Sequence, residues 1–247
     1  MKPEFRVAIP ARYGSTRFPG KPLVTLAGRS LLEHVWLRAC ESGASEVVIA
    51  TDDERIAETA RGFGAEVAMT GSDLASGTDR LAELAATRGW DHDDIVVNLQ
   101  GDEPLTPPEI LAQVAADLDA APDAPMATLA TPLAPEHADD PNIVKLVTDA
   151  RGFALYFSRA PIPCWRDGRP PGTDAYRRHL GIYAYRAGFL RRFATLEPAP
   201  LEQAECLEQL RALWHGYGIH VTDAVALPGA GLDTPGDVAR IEAELRA

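Results

Sequence analysis

Apolar and polar positions alternate between two rhythms through the first half of the chain. The run "RVAIP", residues 6–10, reads as a buried strand. Ser30 and Glu33 form a capping box that predicts a helix start, and Leu32, Val35, Trp36, Ala39 and Cys40 follow at helical spacing. "EVVIAT" predicts a second strand, "DERIAETARGFG" a helix closed by glycine, and "AEVAM" a short strand. "TDRLAELAATRG" predicts another helix and "DIVVNLQ" another strand. "TPPEILAQVAADL" opens with Thr106, prolines in the first turn and Glu109 in capping position. Strands separated by helices of this length imply a parallel sheet covered on both faces.

From about residue 125 the rhythm changes. "MATLATPL", "IVKLVTD", "GFALYFS" and "HLGIYAYR" predict strands with few helices between them, so an antiparallel section or β-rich lobe is expected over roughly 125–200. Residues 164–176 read as an exposed loop, and "LEQAECLEQLRALW" and "PGDVARIEAEL" as closing helices. No Gly- or Ser-rich linker marks a boundary. The expectation is one α/β unit over 1–247 with an inserted smaller lobe.

Length and composition narrow the classes. A chain of 247 residues with 46% hydrophobic content can bury a large core. Its formal net charge of −12 argues against a nucleic-acid partner, which calls for a basic footprint. No apolar run predicts a signal peptide or a membrane span, so a soluble cytoplasmic protein is expected. The odd set Cys40, Cys164 and Cys206 lacks C-x-x-C spacing and fits buried thiols in a reducing compartment. Only three of the 24 basic residues are lysines, Lys2, Lys21 and Lys145. A lysine kept against that preference can mark a place that needs a compact ammonium.

Against the acidic background, "ARYGSTRFPGKP", residues 11–22, concentrates Arg12, Arg17 and Lys21. It is not a Walker A loop: five residues separate Gly14 from Gly20, and Pro22 replaces the hydroxyl residue. Pro22 disfavours helical geometry at Lys21, so an extended loop is expected across the sheet top, with cations and N–H groups for phosphates. "NLQGDEP" places Gln100, Asp102 and Glu103 just past a strand, where Asp102 suits magnesium. In "GAGLDTPGDV", Thr234, Pro235 and Asp237 form a helix start, and Asp233 lies outside it as a second candidate carboxylate. Cations and two acids at one sheet end suggest metal-assisted nucleotidyl transfer. "SGTDRLAE" puts Ser76, Thr78 and Arg80 at a helix start, where capping and anion binding are both open readings. Glu205, Glu208 and Gln209 share one stripe of an expected helix. His179 and Tyr183 share one face of a strand.

Together, "IPARYGSTRFPGKPL", "ASGTDRLAE", "VNLQGDEP", "PNIVKLV", "ALYFSRAPIP", "RRHLGIYAYR", "PLEQAECLEQLR" and "GLDTPGDV" resemble the 3-deoxy-manno-octulosonate (Kdo) cytidylyltransferase family over almost the whole chain. The resemblance implies a Rossmann-like nucleotidyltransferase fold with a mostly parallel central sheet, a smaller β-containing lobe and a homodimer. It implies transfer of CMP from CTP to Kdo, with release of pyrophosphate, for lipopolysaccharide assembly. By motif, Arg12, Arg17 and Lys21 would hold the triphosphate, with Ser76, Thr78 and Arg80 near the nucleotide. Asp102 and Asp233 would bind Mg²⁺ and, with Lys21, carry catalysis. Gln100, Arg166, His179, Tyr183, Glu208 and Gln209 would line the sugar pocket, and Arg159 is a further candidate there. Gln203 and Cys206 depart from the family pattern. Another cytidylyltransferase, for 8-amino-Kdo or acylneuraminate, and a non-catalytic nucleotide binder are the alternatives.

Overall fold

The computed structural model describes residues 3–14, 18–74, 76–168, 172 and 175–246. In chain order the elements are β1 (Phe5–Ala11), the short pair β2 (Thr25–Leu26) and β3 (Arg29–Ser30), α1 (Leu31–Glu41), β4 (Glu46–Thr51) and α2 (Glu54–Gly62). Next come β5 (Glu66–Met69), α3 (Gly77–Thr87), β6 (Ile95–Asn98), α4 (Pro108–Asp119) and β7 (Met126–Leu133). The remainder are β8 (Lys145–Thr148), β9 (Ala154–Ser158), β10 (Tyr176–Arg186), α5 (Ala187–Phe193), α6 (Pro200–Glu205), α7 (Leu210–Trp214), β11 (Ile219–Asp223) and α8 (Val238–Leu245).

One sheet runs β11-β7-β10-β6-β1-β4-β5. β6, β1, β4 and β5 are mutually parallel, as the alternating rhythm predicts. β10 enters antiparallel between β6 and β7, and β11 lies parallel to β7. The segment from 125 onward therefore adds strands to the main sheet through β7 and β10. β8 and β9 extend it as an antiparallel pair beside β10.

Side-chain alternation on the central strands builds a core on each face. Val7 and Ile9 of β1 join Ile49 and Val97 against α1 and α4, while Ala8 joins Val48, Leu81 and Leu84 on the opposite face. Burial of these apolar surfaces is the main force holding the layers, at about 25 cal/mol per Å² removed from water. A smaller core of Leu26, Leu31, Leu232 and Ile241 fastens α8 to the β2–β3 pair, helped by the Glu242 carboxylate accepting from the Ala27 N–H at 2.7 Å.

Four local expectations change. Cys40 is exposed, so the α1 stripe is Leu31, Leu32, Val35 and Ala39; Cys164 and Cys206 are exposed as well, against the expected buried thiols. α4 starts without a side-chain cap because Thr106 turns its hydroxyl to Glu103. The loop after β1 is not extended at its described end: Lys21–Leu23 close a 3-10 turn behind Gly20, whose φ of 72° puts it in the left-handed region. The expected helix over 201–214 is two helices, because Cys206 takes φ 51° and ends α6.

Candidate active site

The reversal of strand order lies between β1 and β6, where open α/β sheets bind ligands beyond the strand ends. A cleft of about 360 Å³ opens there, lined by Arg12, Lys21, Ser76, Arg80, Gln100 and Asp102 among others. Gly101 lets the turn after β6 press against β1: a Cβ there would lie 2.9 Å from the Pro10 carbonyl oxygen. That contact fixes Gln100 and Asp102 over the end of β1.

Lys21 Nζ lies 2.6 Å from Asp102 Oδ2, and the Lys21 side chain is mostly buried. The turn at 21–23 aims this ammonium inward, and Asp102 is the carboxylate that receives it. Arg12 lines the cleft from an exposed position. Arg17 lies outside the described residues.

The start of α3 closes another wall. Ser76 is its N-cap and shares a reciprocal capping box with Asp79, so the capping reading of Ser76 holds while its residue still lines the cleft. Thr78 points its hydroxyl away from capping and donates to Glu208 Oε2 at 2.7 Å. Arg80 is 4% exposed and already committed: it donates to Thr70 and the Gly71 carbonyl and pairs with Asp52 at 3.4 Å. Its guanidinium fastens the segment after β5 to α3 beside the cleft.

The C-terminal segment brings the second aspartate to the first. The Leu232 N–H donates to the Asp102 carbonyl at 2.9 Å, and Asp233 follows on the exposed side. Gly229 permits this approach, since a Cβ there would lie 2.6 Å from Leu105 Cβ. Asp237 accepts from both the N–H and hydroxyl of Thr234, as the helix-start reading predicts. Burial, then the charges of Asp102 and Asp233, push the neighbouring Glu103 carboxyl up to about 7. Negative charge is thus concentrated where a cation would serve. Among the described residues no three His, Cys, Asp or Glu side chains are arranged to hold a metal by themselves.

A cluster of buried polar side chains lies beyond the cleft wall, behind Thr78. Tyr183 is buried with its hydroxyl unpartnered, as are Glu208 Oε1 and Gln209 Nε2. Buried polar atoms without partners are rare and point to a missing ligand. His179 packs edge-on to Phe157 and lies 5.3 Å from Tyr183 between ring centroids. Burial, with a smaller push from the Arg178 charge, holds the imidazole down to about 3, so it is neutral at physiological pH. Burial raises the Tyr183 phenol well above its ordinary value.

The expected stripe of Glu205, Glu208 and Gln209 does not exist. The turn at Cys206 sends Glu205 to Ser158 Oγ and the Arg159 N–H, while Glu208 and Gln209 join the buried polar cluster. Arg159 holds main-chain oxygens instead of joining this cluster: its side chain donates to the carbonyls of Glu205, Cys206 and Pro141. Arg166 sits exposed on the turn after Trp165, away from the lining of the cleft, and part of the 164–176 loop lies outside the described residues. Sequence reading missed Asn98, whose buried Oδ1 lacks a partner, and Thr128 and Tyr185, which contact His179 and Tyr183. Asn98 ends the strand before "LQGD", a position that could have flagged it; nothing local marks Thr128.

A doubly covered parallel sheet with cations and acids gathered at its switch point is the architecture of a nucleotidyltransferase. The Cytidylyltransferase family model matches residues 7–220. The 3-deoxy-manno-octulosonate cytidylyltransferase of Pseudomonas syringae pv. syringae is 56% identical, covering 98% of each chain. That of Thioalkalivibrio sulfidiphilus is also 56% identical, covering 98% of this chain and 99% of its own. The solved structure of CMP:2-keto-3-deoxy-manno-octonic acid synthetase complexed with CTP superposes with a TM-score of 0.91 at 40% identity, covering 99% of both chains. A 4-diphosphocytidyl-2C-methyl-D-erythritol synthase, at 16% identity and a TM-score of 0.66 over 98% of this chain and 100% of its own, shares the fold. The chain belongs to the cytidylyltransferase family.

Proposed function

We propose that the protein transfers CMP from CTP to Kdo, forming CMP-Kdo and pyrophosphate for lipopolysaccharide synthesis. The observation that carries this reading is the junction of two sites at Thr78. On one side lies a cationic cleft at the sheet switch point, and on the other a cluster of buried, unpartnered polar atoms. A phosphoryl donor and a polyhydroxylated acceptor need that adjacency for in-line attack.

Lys21 and Arg12 are positioned to neutralise the triphosphate, with Arg17 assigned to the same task by motif. Asp102 and Asp233 are the residues that would hold Mg²⁺. They offer hard oxygen donors on two segments joined by the Leu232–Asp102 main-chain bond, and the Lys21 ammonium already balances Asp102. Bound there, the ion would offset phosphoryl charge and lower the pKa of the attacking hydroxyl. Glu208, Gln209, Tyr183, His179 and Gln100 orient the sugar acid, with Arg166 the candidate for its carboxylate. Catalysis by this chain's residues is then positioning and electrostatic stabilisation, without a dedicated general base.

No helix among the described residues is long and apolar enough to cross a membrane. The net charge of −12 supports an enzyme without a nucleic-acid partner, and a cytoplasmic location without a membrane partner is part of the proposal. A homodimer is part of the proposal. The test is pyrophosphate release from CTP and Mg²⁺ with and without Kdo, with acylneuraminate and 8-amino-Kdo as parallel acceptors. Release that depends on Kdo supports the reading. Equal release without an acceptor, or a clear preference for another acid, overturns it.

A further inference from the structure

The polarity of His179 is decided by a residue on the neighbouring strand. Thr128 is fully buried on β7, opposite Tyr183 of β10, where the register between the two strands shifts. Its hydroxyl has one proton. Thr128 Oγ1 lies 2.7 Å from the Ile182 carbonyl, which can only accept, so that proton goes to Ile182. Thr128 Oγ1 also lies 3.1 Å from His179 Nε2. With the hydroxyl proton spent, this second contact is a hydrogen bond only if Nε2 carries the proton and donates it to the oxygen lone pair. The Gly181 N–H, which can only donate, also points at Nε2 at 3.3 Å; the Nε2–H tautomer gives up this longer contact to keep the 3.1 Å one to Thr128. The ring is uncharged, so one nitrogen alone carries hydrogen.

Nδ1 is left with a lone pair. No described residue bonds to it, and His179 is a half-buried residue beside the unpartnered hydroxyl of Tyr183. A lone pair in that position selects donors. It would repel a carboxylate and welcome a hydroxyl.

We propose that Thr128 is a positioning residue that fixes His179 as the Nε2–H tautomer, so that Nδ1 accepts a hydrogen bond from a hydroxyl of the sugar-acid substrate. The tautomer stands on the Thr128 contacts and the neutrality of the ring; the hydroxyl partner rests on the function proposed above.

The two parts separate in one set of experiments. Nitrogen-15 NMR of the full chain labelled at its six histidines reads which ring nitrogen is protonated, and a His179→Gln variant identifies the His179 signals. The expected wild-type spectrum shows a protonated Nε2 and a bare Nδ1. Thr128→Ser, which keeps the hydroxyl, retains it. Thr128→Val, which keeps the β-branched shape, moves the proton to Nδ1 as Nε2 accepts from Gly181. In the transfer assay Thr128→Val raises KM for the sugar acid by about tenfold, the worth of one hydrogen bond with its polarity reversed, with KM for CTP unchanged and Thr128→Ser near wild type. A bare Nε2 in the wild-type spectrum overturns the tautomer without any substrate. A flipped ring in Thr128→Val with an unchanged sugar KM overturns the recognition role. A wild-type protein that transfers CMP to no sugar acid removes the functional reading and the hydroxyl partner with it, while the spectrum still decides the ring.

Discussion

Thr78 donates its hydroxyl proton to Glu208 across 130 residues of sequence, with 2.7 Å between the two oxygens. Thr78 belongs to the first turn of α3, whose neighbours Ser76 and Gly77 line the cleft at the sheet switch point. Glu208 belongs to the cluster of unpartnered polar atoms, so the bond ties that cluster to the cleft wall.

Breaking that tie should be felt mainly on the sugar side. Thr78→Val keeps the shape of the side chain and leaves Glu208 Oε2 buried without its donor, at a cost of about 1–3 kcal/mol. The expected outcome is a rise of about tenfold in KM for Kdo, with a smaller change for CTP. Initial-rate kinetics with each substrate varied in turn would check it. An effect confined to CTP would mean that Thr78 serves the nucleotide directly.

The Lys21–Asp102 pair sets the second prediction. Asp102 is 37% exposed, so the pair contributes little to folding. If Asp102 is a ligand for the metal–triphosphate unit, Asp102→Asn should lower kcat/KM by at least about a hundredfold, the scale of losing one charge-stabilising group. The urea midpoint should move by less than about 1 kcal/mol equivalent. Pyrophosphate assays alongside urea titrations separate the two effects, and turnover equal to wild type would end the assignment.

Local periodicity and caps made the parallel half legible. β1, the Ser30 start of α1 and the helices at 54–62 and 77–87 are set by residues a few positions apart. The cleft residues were legible for the same reason, since they follow strand ends. What escaped was set by distant contacts. Nothing near Cys206 dictates a left-handed residue. The helix breaks there while Arg159, leaving β9, holds the carbonyls of Glu205 and Cys206. Arg80 reads as a cation at a helix start, and only the packing of α3 beside β4 turns it to Asp52. Thr128 reads as one polar residue in an apolar strand, and its partner belongs to a strand about fifty residues later.

Lys145 shows why a lysine persists in an arginine-rich chain. It is fully buried, and its ammonium donates to the carbonyls of Asp140, Ile143 and Arg159, three acceptors that converge on a point too small for a planar fork. Burial lowers its pKa. Lys145→Met would fill the space but leave these oxygens without a donor, so a loss of about 3 kcal/mol is expected. Lys145→Arg should not restore it. Chemical denaturation of the three proteins tests this. A variant as stable as wild type would show that the carbonyls find other donors.

The fourth prediction concerns acid stability. His179 titrates at about 3 in the folded protein, held there by burial and by the Arg178 charge, whereas an unfolded histidine titrates near about 6.5. Between those values the unfolded chain binds a proton that the folded chain refuses, so stability falls as pH is lowered through this window. The groups packed on the ring, Thr128, Phe157 and Tyr183, supply no carboxylate to reverse the sign. From pH 7.5 to pH 5 this histidine alone should remove up to about 2 kcal/mol from the folding free energy. His179→Gln cannot titrate, so its stability should decline less over the same interval. Urea unfolding of both proteins at several pH values would measure the difference. Parallel acid limbs would mean that the folded protein accommodates the imidazolium, by opening the strand register at 179–183 or by letting water reach the ring.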